Sequence, residues 1–310
     1  MSETTKGILA MIGACTIWGL SPIYYKLLAH IPAPEVMAHR ITWSLVFFAG
    51  VLAVQGRLPV LRAAFSGGRR IATIVLASAM ISTNWFLFIF ATQIGRNTET
   101  SLGYYIFPLV AVLLGRFVLG ERLGRIQWGA IALAFAGVSV LTVGLGVAPY
   151  ISLALAVTFG LYGLIKNGLP LGPVVSVTAE VAVVAPFALA LLAARHGGIY
   201  GEGAGAFGAS LQDSLLLMLS GPLTASPLIL FSAAARRVAM STVGVLQYIN
   251  PTLQFLCAVI LFGEAFSPVH QAAFALIWAA VALYSLGAFR QDRAARRAAM
   301  AASGSSTQVR

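Results

Sequence analysis

Ten stretches of the 310-residue sequence are each long and oily enough to cross a lipid bilayer. They lie at approximately 7–28, 35–54, 70–93, 98–119, 126–145, 149–168, 173–193, 213–234, 240–262 and 268–289. About 20 mostly apolar residues span a hydrocarbon core as a helix. A backbone in lipid must also satisfy its own hydrogen bonds, which helices do. The pattern therefore predicts an all-α integral membrane protein with ten transmembrane helices. Composition agrees, with 59% hydrophobic and only 9% charged residues, whereas a soluble domain carries about 25% charged residues. The lipid bilayer is thus the main partner of the surface. The first run follows a single lysine, Lys6, and is too long for a cleaved leader, so it reads as a retained first helix.

The net charge of +11 raises the question of nucleic acid. The basic residues sit in short gaps between apolar runs and in the tail "RQDRAARRAAMAASGSSTQVR", with no continuous basic patch and no interleaved aromatics. No nucleic-acid partner is expected. Placing the N-terminus in the cytoplasm instead sends most of the Lys and Arg to the inner side. Only Lys26, Arg40, Arg96 and Arg195 are left on or toward the other side. That bias follows the positive-inside rule over several separate loops and puts both termini in the cytoplasm. Cys15 and Cys257 lie far apart inside apolar runs, without metal-ligand spacing or a disulfide framework. No cofactor and no metal are expected.

The chain also repeats itself. A shift of 143 residues aligns Tyr105, Ile106, Pro108, Gly120 and Glu121 with Tyr248, Ile249, Pro251, Gly263 and Glu264. Each unit, 7–145 and 149–289, holds five spans, and five is odd, so the second unit must be inverted relative to the first. Residues 290–310 form a basic tail expected to lack fixed structure. Inverted repeats mark secondary transporters, whose halves rock about a site near the midplane. Pro108 and Pro251 fall near the middle of their spans, where a missing backbone donor kinks a helix. Glu121 and Glu264 follow in tight turns, where a carboxylate can cap the first amides of the next helix.

Ionisable groups inside spans are costly and mark functional candidates. In "APEVMAHRITWS" (33–44), Glu35 reads as a helix-entry acid and His39 as a packing group or a titrating relay. Arg40 lies deeper and can line a cavity, as a partner for Glu180 or for an anionic group on the substrate. Glu180, near mid-membrane, can carry a proton, pair with Arg40 or Lys166, or neutralise a cationic substrate. Trp18, Asn84, Trp85, Tyr104, Tyr105, Gln247, Tyr248 and Asn250 offer aromatic walls and amides suited to an amphipathic organic molecule. With Arg40 and Glu180 they form the candidate substrate site. His39, Glu99, Lys26 and Lys166 are the candidates for coupling or gating, with protons as the candidate coupling ion.

Several motifs in combination resemble the RarD family, in the EamA branch of the drug/metabolite transporter superfamily. They are "WGLSPIYYK" (18–26), "PEVMAHRITWS" (34–44), "NWFLFIFA" (84–91), "SLGYYIFPL" (101–109), "LGERL" (119–123), "FGLYGLIKN" (159–167), Glu180 and "LQYINPTLQF" (246–255). The similarity runs from residue 6 to about 289. It implies an EamA-like fold of two inverted five-helix repeats in a bacterial inner membrane. The activity it implies is secondary transport, with export, of a small organic metabolite or drug-like substrate. Phe107 departs from the family, which tends to carry asparagine before the first-half proline; the second half keeps Asn250 before Pro251. An uncoupled facilitator of the same fold is the alternative. An intramembrane enzyme would need a Ser–His pair, paired aspartates or an H-E-x-x-H motif within the spans, and none is present.

Overall fold

The computed structural model describes residues 2–120, 123–166, 169–199, 201, 205–238 and 240–305. Glu121, the first acid of the repeat, lies outside them. The elements are α1 (Glu3–Leu27), α2 (Ala33–Val54), α3 (Leu58–Ala64), α4 (Gly68–Gln93), α5 (Asn97–Val118) and α6 (Arg125–Leu145). They continue with α7 (Tyr150–Lys166), α8 (Pro173–His196), α9 (Leu211–Ala235), α10 (Met240–Leu246) and α11 (Ile249–Leu256). A π-helical turn (Cys257–Leu261) and α12 (Pro268–Ser305) complete the chain.

Among the described residues, nine helical stretches are long and apolar enough to cross a membrane, one of them Thr242–Leu261 across α10, α11 and the π turn. Helix α7 is apolar but has only 17 residues, about 25 Å at 1.5 Å per residue. The expected ten spans thus meet nine clear candidates and this shorter helix. Two features depart from the sequence pattern: α3 fills a stretch expected to be a break, and α12 continues to Ser305 through most of the tail.

Local chemistry sets the helix ends. The Ser2 and Ser210 hydroxyls accept from the Thr5 and Asp213 amides and cap α1 and α9. Proline in the first turn starts α2 and α8, where no backbone donor is needed. Gly120 and Gly263, 143 positions apart, both take left-handed backbone, with φ of +71° and +64°. A side chain would be strained there.

The two repeated prolines behave differently from each other. Helix α5 runs through Pro108 without a break. The ninth span instead breaks at Gln247–Tyr248, and Pro251 falls in the first turn of α11. Its missing donor costs nothing there, so Pro251 starts a helix rather than kinking one.

The end of the bundle where α1 begins is termed the amino-terminal face. Helix α1 packs on α9 and α11, α2 on α8 and α9, and α4 on α7 and α8. Helix α5 packs on α7 and α11, and α6 on α12. Without a hydrophobic force between helices in lipid, close backbone approach matters. A methyl added at Gly221 would lie 2.4 Å from the Trp43 carbonyl oxygen, and one at Gly103 would lie 2.8 Å from that of Ser152. The outer surface is oily, with Phe117, Phe135, Val143 and Phe187 all exposed, as a lipid-facing shell requires.

Candidate functional site: a central cavity closed at one face

Helices α1, α2, α4, α5, α7, α8, α9 and α10–α11 enclose a cavity of about 530 Å³, a size typical of small-molecule sites. Helices α6 and α12 contribute nothing to its lining. Its deep end is formed by Ser21, Tyr25, Arg40 and Gln254, and its mouth by Lys166, Pro173, Ala235 and Arg236 at the amino-terminal face. Arg236 and Gly244 are exposed on that side.

Arg40 sits seven residues into α2 from the opposite face, about 10 Å along the axis. It is only 6% exposed. Its guanidinium lies 4.2 Å from the centre of the Trp85 ring and 5.6 Å from that of Tyr25. These ring faces attract a cation, yet its Nε has no hydrogen-bond partner.

Glu180 is bound elsewhere. Its carboxylate accepts from the Ser176 hydroxyl at 2.7 Å and the Tyr162 hydroxyl at 2.9 Å, and Lys166 Nζ lies at 3.1 Å. Lys166 also donates to the Tyr162 hydroxyl. Of the two partners expected from the sequence, Lys166 is the one that Glu180 meets. Tyr162 and Lys166 line the cavity and Glu180 lies behind them.

The amides are tied down in the same way. Asn84 Nδ2 donates to the Leu155 carbonyl at 2.9 Å and to the Thr158 hydroxyl at 3.1 Å, and its Oδ1 accepts from the Tyr104 hydroxyl at 3.0 Å. Gln254 Nε2 donates to Asn250 Oδ1 at 2.9 Å, which leaves Gln254 Oε1 unpartnered. At the broken ninth span, the Ser101 hydroxyl donates to the Pro251 carbonyl at 2.8 Å.

The opposite face is shut by side chains that reach between helices. Glu264 accepts from the Asn97 amide and Nδ2 at 2.7 and 2.8 Å, and from the Thr98 amide and hydroxyl at 2.7 and 2.6 Å. It therefore caps α5, not the next helix in sequence as expected. Glu35 does enter α2 in its first turn, but buried rather than in contact with water. It is fully buried, 2.6 Å from Arg195 Nε, and accepts from the Ala206 amide. Glu99 pairs with Arg96 in a separate recess of about 390 Å³. His39 stacks on Phe207 at 5.3 Å, and Lys26 lies over Phe262. Neither residue lines the cavity.

The EamA-like transporter family matches residues 5–143. Protein RarD of Streptomyces exfoliatus is 40% identical, over 95% of this chain and 93% of its own length. The chain belongs to the RarD family, in the EamA branch of the drug/metabolite transporter superfamily. The uncharacterized transporter YojE of Bacillus subtilis (strain 168) is 40% identical over 95% of this RarD-family chain and 98% of its own length. Protein RarD of Escherichia coli (strain K12) is 36% identical over 94% and 97%. A solved crystal structure shares the fold with a TM-score of 0.59 at 20% identity, covering 91% of this chain and 98% of that one. Family membership makes the chain a multi-pass bacterial membrane protein of a transporter class, not an enzyme.

Of the residues expected at the substrate site in this RarD-family chain, Arg40, Trp18, Asn84, Trp85, Tyr104, Gln247, Tyr248 and Asn250 line the cavity. Glu180 and Tyr105 do not. Tyr105 turns the other way, hydrogen-bonding Thr252 at 2.7 Å and stacking on Tyr248. Pro108, Pro251 and Lys166 also line the cavity. So do Tyr25, Phe159, Tyr162, Thr224 and Gln254, none of which the sequence pattern singles out. Tyr25, Phe159, Tyr162 and Gln254 lie within motifs that carry the family resemblance, which is the signal that could have found them; Thr224 does not.

Proposed function

We propose that this chain is a ten-span secondary transporter of two inverted five-helix repeats that carries a small organic molecule out of the cell by alternating access. The observation that carries this reading is the cavity itself, which reaches the amino-terminal face and ends below the Glu264 closure of α5. The helix pairings support the repeat. Matching α1, α2, α4, α5 and α6 in order with α7, α8, α9, α10–α11 and α12 exchanges α1–α9 with α4–α7, α1–α11 with α5–α7, and α2–α9 with α4–α8. The pairs α2–α8, α5–α11 and α6–α12 map onto themselves. This is what a two-fold axis in the membrane plane produces. The count of ten includes α7, whose partner under this matching is α1.

The positive-inside bias puts the amino-terminal face in the cytoplasm, so the cavity is open inward, ready to load for export. Coupling to protons runs through Glu180, because protonating it releases Lys166 into the cavity. Uncoupled facilitation is the second reading.

A metabolite and drug export screen in cells with and without the protein, followed by flux measurement in liposomes, tests the proposal. Compounds retained only by cells lacking the protein, and moved by it in liposomes, are expected. No differential compound and no flux would sink the idea. Glu180→Gln is expected to abolish the response of flux to a pH gradient while substrate still binds. A wild-type flux indifferent to the gradient would favour the facilitator.

A further inference from the structure

We propose that the substrate of this cavity is an organic anion, an aromatic or similarly flat carboxylate, held at the deep end by Arg40. The inference rests on the transport reading above and narrows it to a substrate class.

Among the described residues, only Glu180 of the acids has an ion-pair partner that lines the cavity, Lys166. Glu3 pairs with Lys6 and Arg237, Glu35 with Arg195, Glu99 with Arg96 and Glu180 with Lys166. Asp213 pairs with His30, and Glu264 is held by Asn97 and Thr98. Every acid whose side chain is described is therefore engaged, and none of them lines the cavity itself, Glu180 lying behind the wall that Tyr162 and Lys166 form. The ionisable residues that do line it with a positive charge are Arg40, Lys166 and Arg236, with Lys166 balanced by Glu180. The cavity is cationic, and its deepest charge has no counter-ion among the described residues.

A buried guanidinium without a counter-ion is expensive, because a charge taken out of water loses its hydration. Trp85 and Tyr25 offset part of this through their ring faces. They also fix which ligands fit. The Arg40 Nε is buried without a partner, and the guanidinium meets a ligand where Arg40 lines the cavity wall. Arginine edges bind carboxylates in plane through two parallel hydrogen bonds. A small spherical anion could answer the charge but not the walls. Trp18, Phe88, Phe107, Phe159 and Phe231 surround the remaining space, which suits an apolar, flat body attached to the anionic end. A cationic substrate would meet Arg40 with no acid on the walls to offset it.

The full-length protein in lipid nanodiscs tests this by titration calorimetry with three matched probes: 4-hydroxyphenylacetate, its neutral amide and tyramine. The carboxylate is expected to bind at least about tenfold more tightly than either neutral or cationic analogue. Arg40→Gln is expected to erase that preference to within about twofold, and Arg40→Lys to keep an intermediate one, since a lysine supplies charge without the fork. Binding of the amide or the amine as tight as that of the carboxylate overturns the proposal in the wild type alone, even if the variants fold poorly. Retention of the preference in Arg40→Gln, or no binding by any of a panel of aryl and alkyl carboxylates, also overturns it. So does binding of chloride or sulfate as tight as that of the carboxylate. Liposome flux separates the two levels of inference. Flux of a neutral or cationic compound that is indifferent to Arg40→Gln leaves transport standing and removes the anion site. Carboxylate binding through Arg40 without flux of any compound leaves the site standing and removes transport.

Discussion

The two faces of the bundle use the same kinds of charged residue to different ends. At the amino-terminal face, Glu3 and Arg237 tie α1 to the end of α9 at 3.0 Å, with side chains 65% and 36% exposed. Water and salt screen such a pair, which adds little to stability. At the opposite face, Glu35 is fully buried against Arg195, and Glu264 is saturated by four donors from the first residues of α5. Exposed ties can be undone cheaply; buried ones hold until something replaces them. The Glu35 and Glu264 ties are buried where the cavity is closed, and the Glu3–Arg237 tie is exposed where it opens.

The comparison can be broken most severely at Glu35. Arg195→Ala leaves a buried carboxylate without its cation, a change that typically costs about 3–5 kcal/mol. Thermal unfolding in detergent is expected to fall sharply, while Glu3→Ala shifts it little. Equal effects would show that the faces are not tied unequally.

A smaller loss is expected at the seam between α2 and α9. Gly221→Ala places a methyl against the Trp43 carbonyl, and overpacking of this kind costs about 1–3 kcal/mol. Helix separation read by unfolding or by protease sensitivity checks it.

Glu264→Ala removes the cap of α5, worth about 0.5–2 kcal/mol, and its larger signature is access. Cys15 and Cys257 are buried, so a cysteine placed at buried Ser101 can be read against a quiet background. Ser101→Cys is expected to resist a membrane-impermeant thiol reagent added to the opposite face, and to react once Glu264 is removed. Continued protection would mean that Glu264 does not close that face.

The smallest change sharpens the contrast from the open side. Gly244 lines the cavity mouth with nothing within 4 Å of an added methyl. Gly244→Ala in α10 is expected to be neutral or to stabilise by about 0.5–1 kcal/mol through helix propensity. A marked loss of stability would place a contact there that the open face lacks.

Span positions were legible in the sequence because 20 apolar residues in a row have few other uses. Depth was legible too, which singled out Arg40. Facing was not. In a soluble helix the polar side announces itself, but both sides of a membrane helix are apolar, so Tyr104 and Tyr105 look equivalent until α11 and the cavity divide them. Partners were hidden for a different reason. Glu264 meets Asn97 and Thr98 across about half the chain, and Glu35 meets Arg195 on α8; no local spacing records such a meeting. The helical course of α12 through the tail was hidden by alanine, which suits either environment.

The π-helical turn Cys257–Leu261 carries a consequence for inheritance. Such a turn accommodates one extra residue within an otherwise α-helical segment, and so acts as a phase shifter between α11 and the rest of the chain. Removing a single residue there would let the α-helix close normally and would rotate the downstream residues by about 100°. Glu264, three positions beyond the turn, would then face away from α5. Point substitutions at exposed Ile260 and Leu261 should be well tolerated, whereas a one-codon deletion should unlatch the protein. The segment is thus constrained in its length more than in its letters.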